Sequence, residues 1–215
     1  MFRNGEHKVY AFLQRYTPGM QGAASAFSAY VASHAALLLG LAYLGMLLSH
    51  AWWESGMAMH MGVLLPLLSV WGGAMVLHLR RRRAWLTQWG RRYRVSLLLF
   101  AIFTLSLWML PRLLDASLYA LDMAALKWLT LPLAGAALVL CWRALPWLLR
   151  AVLQLEAIAT LLRLGWLYLV APQTYCVSYG IDDQQRLAYL LIVYAAVYGG
   201  VLGLRVMFGR HPRIE

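Results

Sequence analysis

The sequence predicts an all-α fold, a polytopic transmembrane bundle of about six spans with both termini cytoplasmic. Three observations predict it. The 215 residues are 62% hydrophobic and only 13% charged, whereas soluble chains carry about 25% charged residues; the missing charge is what a water-facing surface needs. Six apolar stretches approach the roughly 20 residues that a membrane-crossing helix requires. Basic residues gather in alternate connections, as the positive-inside rule demands of a multi-pass protein. Ten Trp and twelve Tyr fit the same class, because their amphipathic rings collect at membrane interfaces.

The spans expected are about Ala26–Ser49, Met57–Leu79, Val95–Leu110, Met123–Trp142, Ala151–Ala171 and Leu187–Phe208. Residues 1–25 form a polar, interfacial N-terminal segment, 26–208 the bundle, and 209–215 a cytoplasmic tail. The first span starts too late and runs too long for a cleaved leader. Pro111 marks the end of the third. Arg80 to Arg83, followed by Arg91, Arg92 and Arg94, fill the connection between spans two and three and set it in the cytoplasm. Fifteen of the nineteen Lys and Arg then fall on that side, and five of the eight acids on the other. Such a distribution is that of a multi-pass protein with its basic side inside, and the expected location is a bacterial cytoplasmic (inner) membrane. The same distribution assigns the net charge of +11 to topology and anionic lipid rather than nucleic acid. Cys141 and Cys176 lie a membrane thickness apart and do not pair. Gly199 and Gly203 form a Gly-x-x-x-Gly spacing that permits close helix contact.

Within the spans, chemistry-bearing groups are few. Met57, His60 and Met61 share one helical face, with Met59 between them and Glu54 just before. Thioether and imidazole ligands favour copper, Cu(I) above all, so His60, Met57, Met61 and Met59 are the candidate metal site. The competing reading is apolar packing, since Met is a routine gap-filler. Haem held by this chain alone is not expected: His34, His50, His60 and His78 offer no two rings at one depth on facing helices. Glu156 and Arg163 are intramembrane charges two turns apart on span five, and such groups read as functional or paired. The two side chains can meet only by leaning together or through an intermediary; the expected arrangement instead has Glu156 snorkelling inward while Arg163 pairs with a carboxylate on another helix. Lys127, near Asp122, reads as an interfacial residue. Asp182, Asp183, Gln184 and Gln185 open the last span on the outer face, either as a helix cap or as a polar rim to the His60 pocket. No nucleophile elbow, phosphate loop or zinc-protease motif is present, and an enzyme is not expected.

Asp183-Gln184-Gln185 followed by Leu187-Ala188, and then Val197-Tyr198-Gly199-Gly200-Val201-Leu202-Gly203, resembles the last helix of the CtaG-type cytochrome c oxidase assembly factors. Met59-His60-Met61 followed by Leu64-Leu65-Pro66-Leu67-Leu68 resembles that family's His-Met helix. Leu107-Trp108-Met109-Leu110-Pro111 sits where the family has an aromatic-His-Ile-Pro turn. The resemblance spans about Trp53–Phe208 and describes a divergent, shortened member. It implies copper handling at the outer face for a terminal oxidase of the respiratory chain. The family's other helix histidines have no counterpart: Met109 stands at one such place, and Met123–Trp142 contains no His. The alternative is therefore a non-catalytic accessory subunit of a larger respiratory or copper-containing membrane complex that has lost the metal ligands. A transporter with its path near Glu156 and Arg163 is the third reading, but no inverted repeat supports it.

Overall fold

A computed structural model describes residues 34–171 and 178–208; the N-terminal segment, Cys176 and the C-terminal tail lie outside the described residues. Contacts divide the chain into two units at Leu44/Gly45, and the second holds every element after α1. All the regular structure among the described residues is helical. In order the elements are α1 (His34–Leu48), α2 (His50–Trp53), a π-helical turn (Ala58–Leu64), α3 (Leu65–Arg82), α4 (Ala84–Arg92), α5 (Arg94–Trp108), α6 (Pro111–Tyr119), α7 (Leu121–Trp142), α8 (Trp147–Val170) and α9 (Ile181–Phe208).

Among the described residues, four helices are long and apolar enough to cross a membrane: Ala58–Arg80, α7, α8 and α9. A fifth is obtained if α5 and α6 count as one span bent by 74°. That bend is where the sequence placed the end of span three. Pro111 supplies the preset φ of a first helical residue, and Leu110 before it is extended, as a residue preceding proline prefers to be. The chain thus restarts as a short new helix rather than leaving the bundle. The arginine-rich connection likewise contains a helix, α4, which the sequence reading did not assign.

Helix α7 is the axis of the bundle, packing on α3, α4, α5 and α6. Its crossing with α3 is backbone on backbone. A Cβ on Gly72 would overlap the Pro132 carbonyl oxygen, and one on Gly135 the Ser69 carbonyl oxygen. Only hydrogen at those positions allows so close an approach, and small residues drive association where lipid removes the hydrophobic incentive. On the other side, Ala134, Ala137 and Cys141 of α7 meet Leu97, Leu98 and Ala101 of α5. Helices α8 and α9 form an antiparallel pair, and α9 also rests on the π-helical turn. The Gly-x-x-x-Gly spacing in α9 is not a crossing: Gly203 has open space around it, and Gly199 meets Ile158 only at ordinary contact distance, 3.8 Å. Gly165 of α8 carries the α8–α9 contact instead, lying against Ile192 and the Ala188 carbonyl.

Candidate functional site

The segment before α3 is where local chemistry departs most from a plain helix. The Leu65 N–H donates to the His60 carbonyl, five residues back, and Pro66 immediately after has no N–H to give to Gly62. An interrupted i→i−4 ladder next to proline widens into a π turn, a form that recurs at functional sites. Met57, His60, Met61 and Leu64 nevertheless all point inward and are buried, while Met59 is half-buried. The shared face read from the sequence is therefore present.

What faces His60 was not anticipated. Lys127 of α7 is fully buried, and its ammonium donates to three acceptors: Glu54 Oε1 at 2.6 Å, His60 Nε2 at 2.8 Å and Ser117 Oγ at 3.2 Å. An ammonium has three N–H bonds, so all are used. The Ser117 hydroxyl in turn donates a hydrogen bond to the Leu114 carbonyl at 2.7 Å. Because His60 Nε2 accepts, the ring proton resides on Nδ1, and the hydrogen-bond network assigns that tautomer. Nδ1–H then donates to the Tyr179 hydroxyl at 3.0 Å, which donates in turn to the Glu54 carbonyl at 3.0 Å. The chain of donors closes on Glu54, the residue where it began.

This closed network ties five pieces of the chain together: the turn after α2 (Glu54), the π turn (His60), α6 (Ser117), α7 (Lys127) and the turn before α9 (Tyr179). The bent α5–α6 pair makes it possible, because α6 folds back to deliver Ser117. Lys127 is thus buried inside the bundle and paired with Glu54. The available signal was a lysine inside an apolar helix at the same end of the bundle as Glu54, a combination that asks for a named partner. Ser117 and Tyr179 carried no signal of their own.

The predicted outer-face motif lies beside this network. Asp183 abuts Gly56 and also pairs with Arg186 at 3.6 Å. Gln184 is buried and donates to the Tyr168 carbonyl at 3.2 Å, fixing the start of α9 to the end of α8. Asp182 and Gln185 are exposed. The run therefore does structural work at Gln184 and forms a polar edge elsewhere.

Glu156 and Arg163 are elsewhere, on the outward face of α8. They pair with each other at 2.7 Å, with Thr160 Oγ1 donating to the same carboxylate oxygen at 3.4 Å. The expectation that Arg163 reaches a carboxylate on another helix is corrected. Two helical turns are spanned by the long guanidinium arm, with Thr160 lying between.

In the His60 pocket the ring is held at both nitrogens by hydrogen bonds, Nδ1 to Tyr179 and Nε2 to Lys127. Among the described residues no group of three or more His, Cys, Asp or Glu converges as a metal-ligand set. Met57 and Met61 flank His60, but Met109 is only half-buried, in the bend between α5 and α6. The arrangement can hold helices in register through charge-assisted hydrogen bonds. No protein-family model, curated protein or solved structure gives a significant match to this chain.

Proposed function

We propose that this chain is a six-span inner-membrane protein, with the arginine-rich end and both termini cytoplasmic, serving as a non-catalytic accessory subunit of a larger membrane complex. The observation that carries this reading is the Glu156–Arg163 pair. It sits near the middle of an apolar 24-residue helix with the two side chains 58% and 68% exposed. Charged groups at that depth are costly toward lipid and normally face protein or water. A neighbouring membrane subunit packed on α8 removes that cost. The closed Lys127–Glu54–His60 network supports the same reading, since it gives His60 a structural employment.

The CtaG-type resemblance points to a terminal oxidase or another copper-containing respiratory assembly as the partner complex. One observation favours the assembly-factor reading as second choice: Met57 and Met61 flank a buried His60. Copper handling there requires Lys127 to withdraw from Nε2. The test is purification of the full chain from its native membrane in mild detergent. The expected result is a membrane protein co-purifying at fixed ratio, lost when Glu156→Leu and Arg163→Leu are combined. Recovery of the wild-type chain alone, correctly inserted and monodisperse, overturns the accessory-subunit reading.

A further inference from the structure

At the end of the bundle opposite Lys127, three arginines converge with no acid among them. Arg80 ends the membrane-crossing part of α3, Arg91 lies on α4 and Arg143 follows α7. With Thr87, Leu140 and Ala144 they line a cavity of about 260 Å³. None of the three forms an ion pair among the described residues. Arg143 is sixteen residues beyond Lys127, about 24 Å along α7 at 1.5 Å per residue, so this site is separate from the polar network. Three guanidinium groups gathered in one cleft repel each other unless an anion sits between them, and their planar forks match phosphate oxygens.

The cleft does not end at the charges. Arg80 and Arg143 also border a second cavity of about 390 Å³, lined otherwise by Leu77, Leu138, Val139, Trp142 and Tyr198. That groove is apolar and runs between α3, α7 and α9, with an indole and a phenol beside the arginines. A cationic cage opening onto an apolar groove, with aromatic rings at the junction, has the polarity profile of one lipid molecule. Basic pockets between transmembrane helices are known to hold anionic head groups. The backbone contributes to the shape: a Cβ on Gly90 would stand 2.7 Å from the Leu140 carbonyl, so glycine there lets α4 lie close against α7 and bring Arg91 over the cleft.

We propose that this cleft binds one anionic phospholipid, its phosphodiester among Arg80, Arg91 and Arg143 and one acyl chain in the groove beside Val139, Trp142 and Tyr198. The inference rests on the membrane-embedded reading, which fails separately if alkaline carbonate extracts the chain from its membrane.

The experiment is native mass spectrometry of the full chain in non-ionic detergent with added phosphatidylglycerol or phosphatidylcholine. One phosphatidylglycerol per chain is expected to survive activation, with phosphatidylcholine stripped. Arg80→Gln combined with Arg143→Gln should lower retention roughly thirtyfold, the scale expected from losing two arginines beside an anionic head group. Arg205→Gln, on α9 away from the cleft, should leave it unchanged. Arg91→Gln alone, at an exposed position that cannot unfold the bundle, should lower retention several-fold and guards against a misfolded double variant. Equal retention by wild type and the Arg91 variant means annular lipid only and overturns the proposal. Complete displacement of the lipid by millimolar inorganic phosphate also overturns it, by showing an anion site that needs no acyl chain.

Discussion

Lys127 and Glu54 illustrate how much a single buried pair decides. Removing one partner of a buried ion pair typically costs about 3–5 kcal/mol, because the remaining charge is left without compensation. Glu54→Gln should therefore lower the thermal unfolding midpoint in detergent sharply, whereas Glu54→Gln combined with Lys127→Met should recover most of the loss. A double mutant as unstable as the single one would mean that the ammonium is not held chiefly by Glu54. Tyr179→Phe removes a hydroxyl that both accepts from His60 and donates to the Glu54 carbonyl. Its expected effect is a loss of about 1–3 kcal/mol, the cost of leaving buried polar groups unsatisfied, read as a smaller drop in the same midpoint. At this scale the sequence was half legible. Helical spacing correctly grouped Met57, His60 and Met61, because those residues are close along the chain. Lys127 and Tyr179 reach His60 from 67 and 119 residues away, and local spacing contains no information about such partners.

Among the elements, α3 and α7 show that close packing is set by what lies across a crossing rather than by a motif within one helix. The Gly-x-x-x-Gly spacing in α9 marks two positions of which one is open and the other makes only ordinary contact, while Gly72 and Gly135 face each other's helix backbone. Gly72→Ala should destabilise by about 1–3 kcal/mol, as overpacking does. Gly203→Ala should be neutral or slightly stabilising, since glycine in a helix interior costs about 1 kcal/mol relative to alanine. Comparing the two unfolding midpoints in one detergent checks both, and equal effects would contradict the crossing. Helix boundaries were legible where proline or charge marks them, as at Pro111. The short helices α4 and α6 were not, because nine residues of mixed polarity resemble a loop until a neighbouring helix gives their apolar side something to cover.

For the whole molecule, composition alone separated this chain from soluble domains, since lipid-facing surfaces carry no charge and the sequence has little to spare. The all-helical architecture follows, because hydrocarbon leaves no water to satisfy backbone groups outside helices or closed barrels. The distribution of arginine predicts which end is cytoplasmic, and thiol labelling tests it. In a background lacking Cys141 and Cys176, Thr87→Cys should react in intact cells only after permeabilisation, and Asp182→Cys should react without it. The reverse pattern would invert the orientation. Placement of Glu156 and Arg163 on the outward face of α8 was not legible, because a helix read in isolation has no inside.

The most direct test of the central claim, that His60 belongs to a structural network in an accessory subunit, is copper analysis of the gently purified wild-type chain together with its co-purifying proteins. The account predicts copper well below one atom per chain and a membrane partner at fixed ratio. About one copper per chain, lost on His60→Ala, would contradict it and return His60, Met57 and Met61 to the role of metal ligands.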